Sequence, residues 1–152
     1  MPNWLIYTLI SIPAVVLGIF AAVYYFQEFM VFHPETLPFE HEYSFDQPFE
    51  ERNFVLEKGV VINALHFKNG NPKGLIFYIH GNAGNLDGWG LRAEHFTRYG
   101  YDVFMYDYRT YGKSTGRIKN ERMMHREAKH LYEQLLQEYD ESDVVIYGTS
   151  LG

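Results

Sequence analysis

A run of 23 residues near the N-terminus, positions 4–26, contains no charged side chain. As a helix it would be roughly 34 Å long, enough to cross a hydrocarbon core of about 30 Å. Trp4 and Tyr7 at one end and Tyr24-Tyr25 at the other suit the interfacial aromatic belts of a membrane. The run therefore predicts a transmembrane anchor at 4–26 and leaves about 120 residues for a folded domain.

A cleaved signal peptide is the competing interpretation of this run. It requires a basic start and a cleavage site of small residues. Met1-Pro2-Asn3 carries no Lys or Arg, and Val23-Tyr24-Tyr25-Phe26 is bulky, so an uncleaved anchor is favoured. Because the first basic residue is Arg52, the positive-inside rule leaves the side of the membrane undetermined.

The overall composition excludes several classes of function. The net charge of −6 and the lack of a Lys/Arg cluster argue against a nucleic-acid partner. The absence of cysteine excludes disulfides, a Cys-based zinc site and a cysteine nucleophile. No cluster of metal-ligating residues is visible either, so no metal or organic cofactor is expected.

The anchor is followed by a connector at 27–49 that contains prolines and many aromatic residues. Pro34, Pro38 and Pro48 prevent a continuous helix. The aromatic side chains between them predict that the connector lies along the surface of the domain.

Alternation of strand and helix patterns dominates the rest of the chain. The predicted strands are 52–57, 60–67, 75–79, 101–106 and 143–147, and the predicted helices are 89–99 and 121–139. The first two strands form a hairpin with a turn at Lys58-Gly59. The other elements predict an α/β fold, a mostly parallel sheet with helical crossovers. The longer helix has Asn120 as its N-cap and an apolar stripe of Met124, Ala128, Leu131 and Leu135.

The last five residues, Gly148-Thr149-Ser150-Leu151-Gly152, fit the pattern G-x-S-x-G directly after a predicted strand. This pattern forms a sharp turn that presents a serine as a nucleophile. Five residues with three fixed occur often by chance. The pattern gains weight because two other unusual loops also follow predicted strands, where open α/β sheets bind ligands.

The first of these loops is His80-Gly81-Asn82-Ala83-Gly84-Asn85. Acyl transfer places negative charge on a carbonyl oxygen, which backbone N–H groups must stabilise. Leu151, after the serine, supplies one of them, and Asn82 supplies the other, with Ala83 as the alternative. Taken alone, this loop would be no more than a turn rich in Gly and Asn.

The second loop spans 107–114 and ends in Gly112-Lys113-Ser114. These residues resemble part of a phosphate-binding loop, but that motif requires glycine five positions before Gly112, where this chain has Asp107. Nucleotide binding is therefore rejected. Asp107 and Arg109 are predicted to form a structural pair that holds the loop.

Together, the H-G-N-A-G-N loop, the D-Y-R-x-Y-G-x-S loop and the G-x-S-x-G turn resemble the α/β-hydrolase superfamily. The branch that they resemble most comprises membrane-anchored serine hydrolases with serine aminopeptidase-like domains, and the resemblance covers about 50–152, the N-terminal part of such a domain. It implies an α/β-hydrolase fold with Ser150 as the catalytic nucleophile, Gly148 and Gly152 as the glycines of the nucleophile elbow, and His80 and Gly81 in the oxyanion loop. One departure is Thr110, where the branch usually has glycine.

The resemblance also implies what lies beyond Ser150. In this fold the triad's acid and base follow the serine, and none of the seven histidines is a suitable substitute. We therefore expect a fold truncated after the nucleophile elbow, with an exposed strand edge that makes this polypeptide poorly soluble and inactive.

Three functions remain open from the sequence. The first is a membrane-anchored serine hydrolase that cleaves an ester, thioester or amide in a small-molecule, lipid-like or acylated substrate. The second is a truncated, catalytically inactive membrane protein that lacks the Asp and His of the triad. The third is a membrane-tethered binding module that uses the hydrolase fold as a scaffold.

Overall fold

The computed structural model describes residues 2–57 and 59–152. It divides the chain into two compact units, Met1–His33 and Pro34–Gly152. The first unit consists of helix α1 (Asn3–Val31). Within it, Tyr7–Gln27 has a mean hydropathy of 2.2 and exposes its side chains. The predicted N-terminal helix, long and apolar enough to span a membrane, is confirmed.

Seven strands lie in the described residues: β1 (His33–Pro34), β2 (Phe49–Glu57), β3 (Val60–Phe67), β4 (Leu75–Ile79), β5 (Ala83–Gly84), β6 (Asp102–Tyr106) and β7 (Val144–Gly148). Five of them form the main sheet in the order β2-β3-β6-β4-β7. β2 pairs with β3, and β3 with β6, in antiparallel fashion, whereas β4 pairs in parallel with both β6 and β7. The predicted hairpin is confirmed, and so is the parallel pairing of the strands β6, β4 and β7 that helical crossovers connect. Of the predicted turn, Lys58 lies outside the described residues, and Gly59 has a φ of +79°.

Burial differs sharply across this sheet. β4 and β6 are buried almost throughout, because a central strand of a parallel sheet is covered on both faces. β7 is the last strand in the described order, and its Val145, Ile146 and Tyr147 are between 44% and 61% exposed. An apolar strand exposed at a sheet edge favours association between chains. The poor solubility expected from the sequence therefore stays a prediction.

The helical region after the first loop differs from the predicted helix 89–99. It consists of α2 (Leu86–Trp89), a 3-10 turn (Gly90–Ala93) and α3 (Glu94–Thr97). It begins earlier because the Asn85 side chain accepts a hydrogen bond from the Asp87 N–H at 3.0 Å. Gly90 lies against the Phe45 ring, where a Cβ would overlap it. The prediction of one continuous helix was therefore wrong.

The second long helix, α4 (Glu121–Leu135), begins where the sequence predicts. The Met123 N–H donates to Asn120 Oδ1 at 2.9 Å, which confirms the N-cap. The helix ends four residues early, and a 3-10 turn at Glu141–Asp143 precedes β7. Its buried positions are Met123, Glu127, Leu131 and Leu135. Met124 and Ala128 are only half-buried, so the core-facing stripe is rotated from the predicted one.

Residues 34–49 of the connector, which belong to the second unit, pack against its core, as their aromatic side chains predict. Tyr43 is buried, and its hydroxyl donates to Asn63 Oδ1 at 2.9 Å. Phe45 makes edge-to-face contacts with Phe49 and Phe67 at ring-centroid distances of 5.2 Å. These contacts join the connector to the core beneath β3.

A buried polar network lies at the end of the sheet where β6 begins. Arg52 Nη1 lies 3.3 Å from His66 Nδ1. Because arginine can only donate, the proton of a neutral His66 is on Nε2, which donates to the Tyr139 hydroxyl at 2.9 Å. That hydroxyl donates to Asp102, whose other oxygen accepts from the Asn69 N–H at 2.6 Å.

This network predicts a specific loss of stability in acid. Burial, with the nearby Lys68 cation, lowers the pKa of His66 from 6.5 to about 4. The folded protein therefore binds this proton less readily than the unfolded chain, and stability present above pH 6.5 is lost as the pH falls towards 4. At 1.36 kcal/mol per pKa unit, the loss is about 3 kcal/mol.

The measurement is urea denaturation at several pH values between 7 and 4 for wild type and His66→Gln. We expect the variant to have the flatter stability profile, because carboxylates titrate in both proteins and only the histidine is missing. Parallel profiles would contradict the assignment of this loss to His66.

Candidate active site

The G-x-S-x-G residues form a tight turn at the end of β7. Ser150 has a φ of 58°, in the left-handed region that non-glycine residues rarely adopt. A Cβ at Gly148 would overlap the Gly152 backbone, and a Cβ at Gly152 would overlap the Ile79 carbonyl. Both glycines are thus required by close backbone approach. The turn has the strained geometry by which this motif exposes a serine hydroxyl.

The turn is attached to the end of β4. The Thr149 N–H donates to the Ile79 carbonyl at 3.1 Å, and the Thr149 hydroxyl lies 3.0 Å from the Tyr78 hydroxyl. A Cβ at Gly81 would lie 3.5 Å from the Thr149 carbonyl oxygen. The structure therefore places the first loop, which follows β4, beside the serine turn, which follows β7.

Every carbonyl of the first loop from position 80 to position 84 accepts a hydrogen bond, four of them from outside the loop and one from the His80 ring within it. The pairs, donor first, are Tyr108 OH with His80 (2.6 Å), His80 Nδ1 with Gly81 (2.7 Å), Tyr111 OH with Asn82 (2.8 Å), Trp89 Nε1 with Ala83 (2.7 Å) and Glu35 N–H with Gly84 (3.3 Å).

These five bonds orient the N–H groups of the loop. In a trans peptide the C=O and the following N–H point in opposite directions, and no peptide bond of the described residues is cis. The Gly81 and Asn82 carbonyls therefore fix the direction of the Asn82 and Ala83 N–H groups. Both candidate oxyanion donors are held in place before a substrate arrives, as electrostatic catalysis requires.

His80, the first residue of this loop, forms a fully buried pair with Asp107. His80 Nδ1 donates to the Gly81 carbonyl, which turns His80 Nε2 towards Asp107 Oδ1 at 3.3 Å. Their geometry is not that of an aligned hydrogen bond, and within the described part of the chain neither atom has another partner. Burial raises the pKa of the Asp107 carboxyl, although His80 and the Leu86 N–H favour its ionised form. Through its hydrogen bond to the Gly81 carbonyl, His80 orients the loop.

Asp107 and Arg109 do not form the predicted structural pair. Asp107 faces His80 and accepts from the Leu86 N–H at 3.2 Å. Arg109 is buried and donates through Nε to Glu127 at 2.7 Å and through Nη1 to Glu57 at 2.8 Å. Burial alone would lower the pKa of Arg109, but these two carboxylates raise it. The sequence missed this arrangement because Glu57 and Glu127 are distant in sequence.

Thr110 has a φ of 72°, in the left-handed region. The hydrolase branch that the motifs resemble usually has glycine at this position. A β-branched residue in this region costs roughly 1–2 kcal/mol. We expect Thr110→Gly to raise the free energy of unfolding by about 1 kcal/mol, measured by urea denaturation. Thr110→Ala keeps a Cβ and is expected to change it less. A Thr110→Gly protein less stable than wild type would contradict backbone strain at this position.

An apolar groove of about 290 Å³ lies beside the serine turn. Tyr106 and Tyr108 of the sheet, Met124 and Ala128 of α4, and Leu151 are among the residues that line it. It explains why Met124 and Ala128 are half-buried. Among residues 2–57 and 59–152, no group of three or more His, Asp or Glu side chains could hold a metal ion.

The comparison with solved structures defines the class of protein. The esterase Pf2001 of Pyrococcus furiosus superposes on 79% of this chain and on 49% of its own length, with a TM-score of 0.58 and 20% sequence identity. Together with an α/β hydrolase from Vibrio vulnificus, which has a TM-score of 0.55, this similarity shows that the fold is that of the α/β hydrolases.

The sequence comparisons identify the family. The family model described as "Serine aminopeptidase, S33" matches residues 70–152, more than half of the chain. The chain therefore belongs to this family of α/β hydrolases, as the three motifs indicate.

Two relatives match different lengths of the chain. "Uncharacterized membrane protein YNL320W" of Saccharomyces cerevisiae is 30% identical over 108 residues, 69% of this chain. "Lysophosphatidylserine lipase ABHD12" of Mus musculus is 37% identical over 81 residues, 51% of this chain. The matched part is 38% of the yeast protein and 20% of the mouse lipase.

Proposed function

We propose that the chain belongs to a serine hydrolase that cleaves an ester, thioester or amide through an acyl-enzyme on Ser150. The observation that carries this proposal is the left-handed backbone of Ser150, beside a loop whose carbonyls are all anchored. Such strain persists only where the surrounding structure enforces it, and it is concentrated at functional sites.

In the proposed mechanism, Ser150 Oγ attacks the substrate carbonyl and its proton passes to a histidine base. The oxyanion that forms accepts hydrogen bonds from the N–H groups of Leu151 and Asn82, with Ala83 as the alternative to Asn82. Collapse of this intermediate expels the leaving group and leaves an acyl-serine, which water hydrolyses. We assign the histidine and its acidic partner to the part of the full-length protein that follows Ser150, as the chain order of this fold requires.

We also propose that α1 anchors the enzyme in a membrane as a single span. Its apolar segment has the required length and hydropathy, and the yeast relative is described as a membrane protein. With the lipase as another relative, this location favours a lipid-like or acylated substrate. Extraction of membranes with alkaline carbonate tests the anchor: an integral protein stays with the membranes, and a released protein contradicts it.

The activity is tested with purified full-length protein in detergent and a series of acyl esters of increasing chain length. We expect hydrolysis that rises from short to long acyl chains. Hydrolysis without that preference would support the hydrolase and contradict the lipid-like substrate. No hydrolysis of any ester, thioester or amide would contradict the proposal and favour an inactive membrane protein.

A further inference from the structure

Three connector residues, Glu35, Thr36 and Leu37, lie between the two loops of the candidate site and bond to both of them. We call residues 35–37 the strap. The Glu35 N–H donates to the Gly84 carbonyl at 3.3 Å, and the Leu37 N–H donates to the Gly112 carbonyl at 2.8 Å. The strap is therefore hydrogen-bonded to the end of each loop.

The Glu35 carbonyl adds two further bonds. It accepts from the Gly112 N–H at 2.9 Å and from Asn85 Nδ2 at 3.1 Å. Asn85 is itself buried, and its Oδ1 caps α2 through the Asp87 N–H. One carbonyl of the strap thus joins both loops and the first turn of a helix.

The contacts of the strap with the loops alternate along its backbone. Thr36 is paired with Gly112 in a parallel bridge, but the hydrogen bonds of this bridge involve its neighbours Glu35 and Leu37. The Thr36 N–H takes part in none of the four hydrogen bonds of the strap. The N–H groups at 35 and 37 point towards the loops, as the period of an extended chain requires. The side chains of Glu35 and Thr36 are exposed, so these two residues hold the loops through their main chain. The Leu37 side chain also packs against the hydrophobic core.

The loop positions that the strap holds lie close to the candidate oxyanion donors. Gly84 directly follows Ala83 in the sequence. Gly112 directly follows Tyr111, whose hydroxyl anchors the Asn82 carbonyl. A displacement of either glycine would therefore reach the peptide groups that carry the two candidate donors.

We propose that the strap positions the oxyanion loop for catalysis, an inference that rests on the proposed function of Ser150. Nothing in its sequence marks residues 35–37 as part of an active site. The strap begins four residues after the end of α1 in the sequence, so a variant made to remove the apolar helix must keep Glu35 to keep a reactive Ser150.

A proline scan tests the strap in the full-length protein. Proline lacks an N–H, so Glu35→Pro and Leu37→Pro each remove one bond to a loop, whereas Thr36→Pro removes none of the four. Glu35→Ala and Leu37→Ala are the side-chain controls. The readout is the reaction of Ser150 with a fluorophosphonate, resolved into the maximal inactivation rate and the half-saturating probe concentration.

We expect Glu35→Pro and Leu37→Pro to lower the maximal rate about tenfold with little change in half-saturation, because the donors are misplaced rather than the binding site lost. Thr36→Pro and Glu35→Ala should react like wild type. Leu37→Ala loses core packing but keeps its N–H, so it should react faster than Leu37→Pro. Equal rates in all three proline variants, whether all normal or all reduced, would overturn the proposal.

Amide hydrogen exchange in the two loops provides a readout that does not depend on catalysis. We expect exchange in segments 81–86 and 107–112 to accelerate about tenfold in Glu35→Pro and Leu37→Pro and not in Thr36→Pro. If wild type does not react with the fluorophosphonate, the proposed function fails. The role of the strap in holding the two loops is then tested by hydrogen exchange alone. Faster exchange in Glu35→Pro and Leu37→Pro but not in Thr36→Pro then supports the strap, and equal exchange in all three proline variants overturns it.

Discussion

Ser150→Ala is expected to abolish ester hydrolysis by the full-length protein, with kcat lowered by a factor on the order of 10⁴ to 10⁶. The acyl-enzyme cannot form without the hydroxyl, and the residual rate comes from the oxyanion donors and substrate binding alone. Alanine keeps the Cβ of serine, so the left-handed backbone at 58° should be retained. The measurement is steady-state hydrolysis of the best acyl ester found for wild type.

Ser142→Ala is the matched control for this prediction. Ser142 is exposed and lies in the 3-10 turn at the opposite end of β7, so its loss should leave kcat unchanged. Equal thermal unfolding of the two variants would show that the effect is on chemistry. An active Ser150→Ala protein would contradict the assignment of the nucleophile.

Gly112→Ala is expected to have the largest effect on stability, a loss of about 3 kcal/mol. A Cβ at this position would overlap the buried Asp107 carboxylate, and such overpacking costs about 1–3 kcal/mol. The φ of +47° adds roughly 1–2 kcal/mol for any residue with a side chain. Asp107 cannot move freely, because it also contacts His80 and the Leu86 N–H.

This loss is measured by urea denaturation, with Gly88→Ala as the control. Gly88 lies in α2 with open space where a Cβ would be added, so alanine there should be neutral or slightly stabilising. We also expect Gly112→Ala to slow the reaction of Ser150 with a fluorophosphonate. A Gly112→Ala protein as stable as wild type would show that the loop does not require glycine.

The main strands could be predicted from the sequence because their signals are local. The apolar run at 75–79 and the hairpin of 52–57 with 60–67 differ from the observed strands by at most three residues. The segmented helix after Asn85 could not be predicted, and neither could the close packing of its Gly90 against Phe45, 45 positions earlier, because no local pattern shows such a contact. Likewise, burial of Glu127 depends on Arg109, and no apolar periodicity shows it.

For the candidate site, the motifs predicted which loops converge, and the structure places the Gly81 and Ser150 segments side by side. The sequence did not reveal what holds them. Tyr108, Tyr111 and Trp89 each donate to a loop carbonyl, and none has a local signal beyond being aromatic. The predicted pairing of Asp107 with Arg109 was wrong because proximity in sequence does not determine which buried charges meet.

The identity of the residue that a fluorophosphonate modifies tests the central claim most directly. Full-length protein would be labelled, digested and analysed by mass spectrometry, with denatured protein as the control for chance reactivity. We predict a single adduct on Ser150 that forms only in the folded protein. An adduct on another serine, or no adduct on folded protein that retains hydrolytic activity, would contradict Ser150 as the nucleophile.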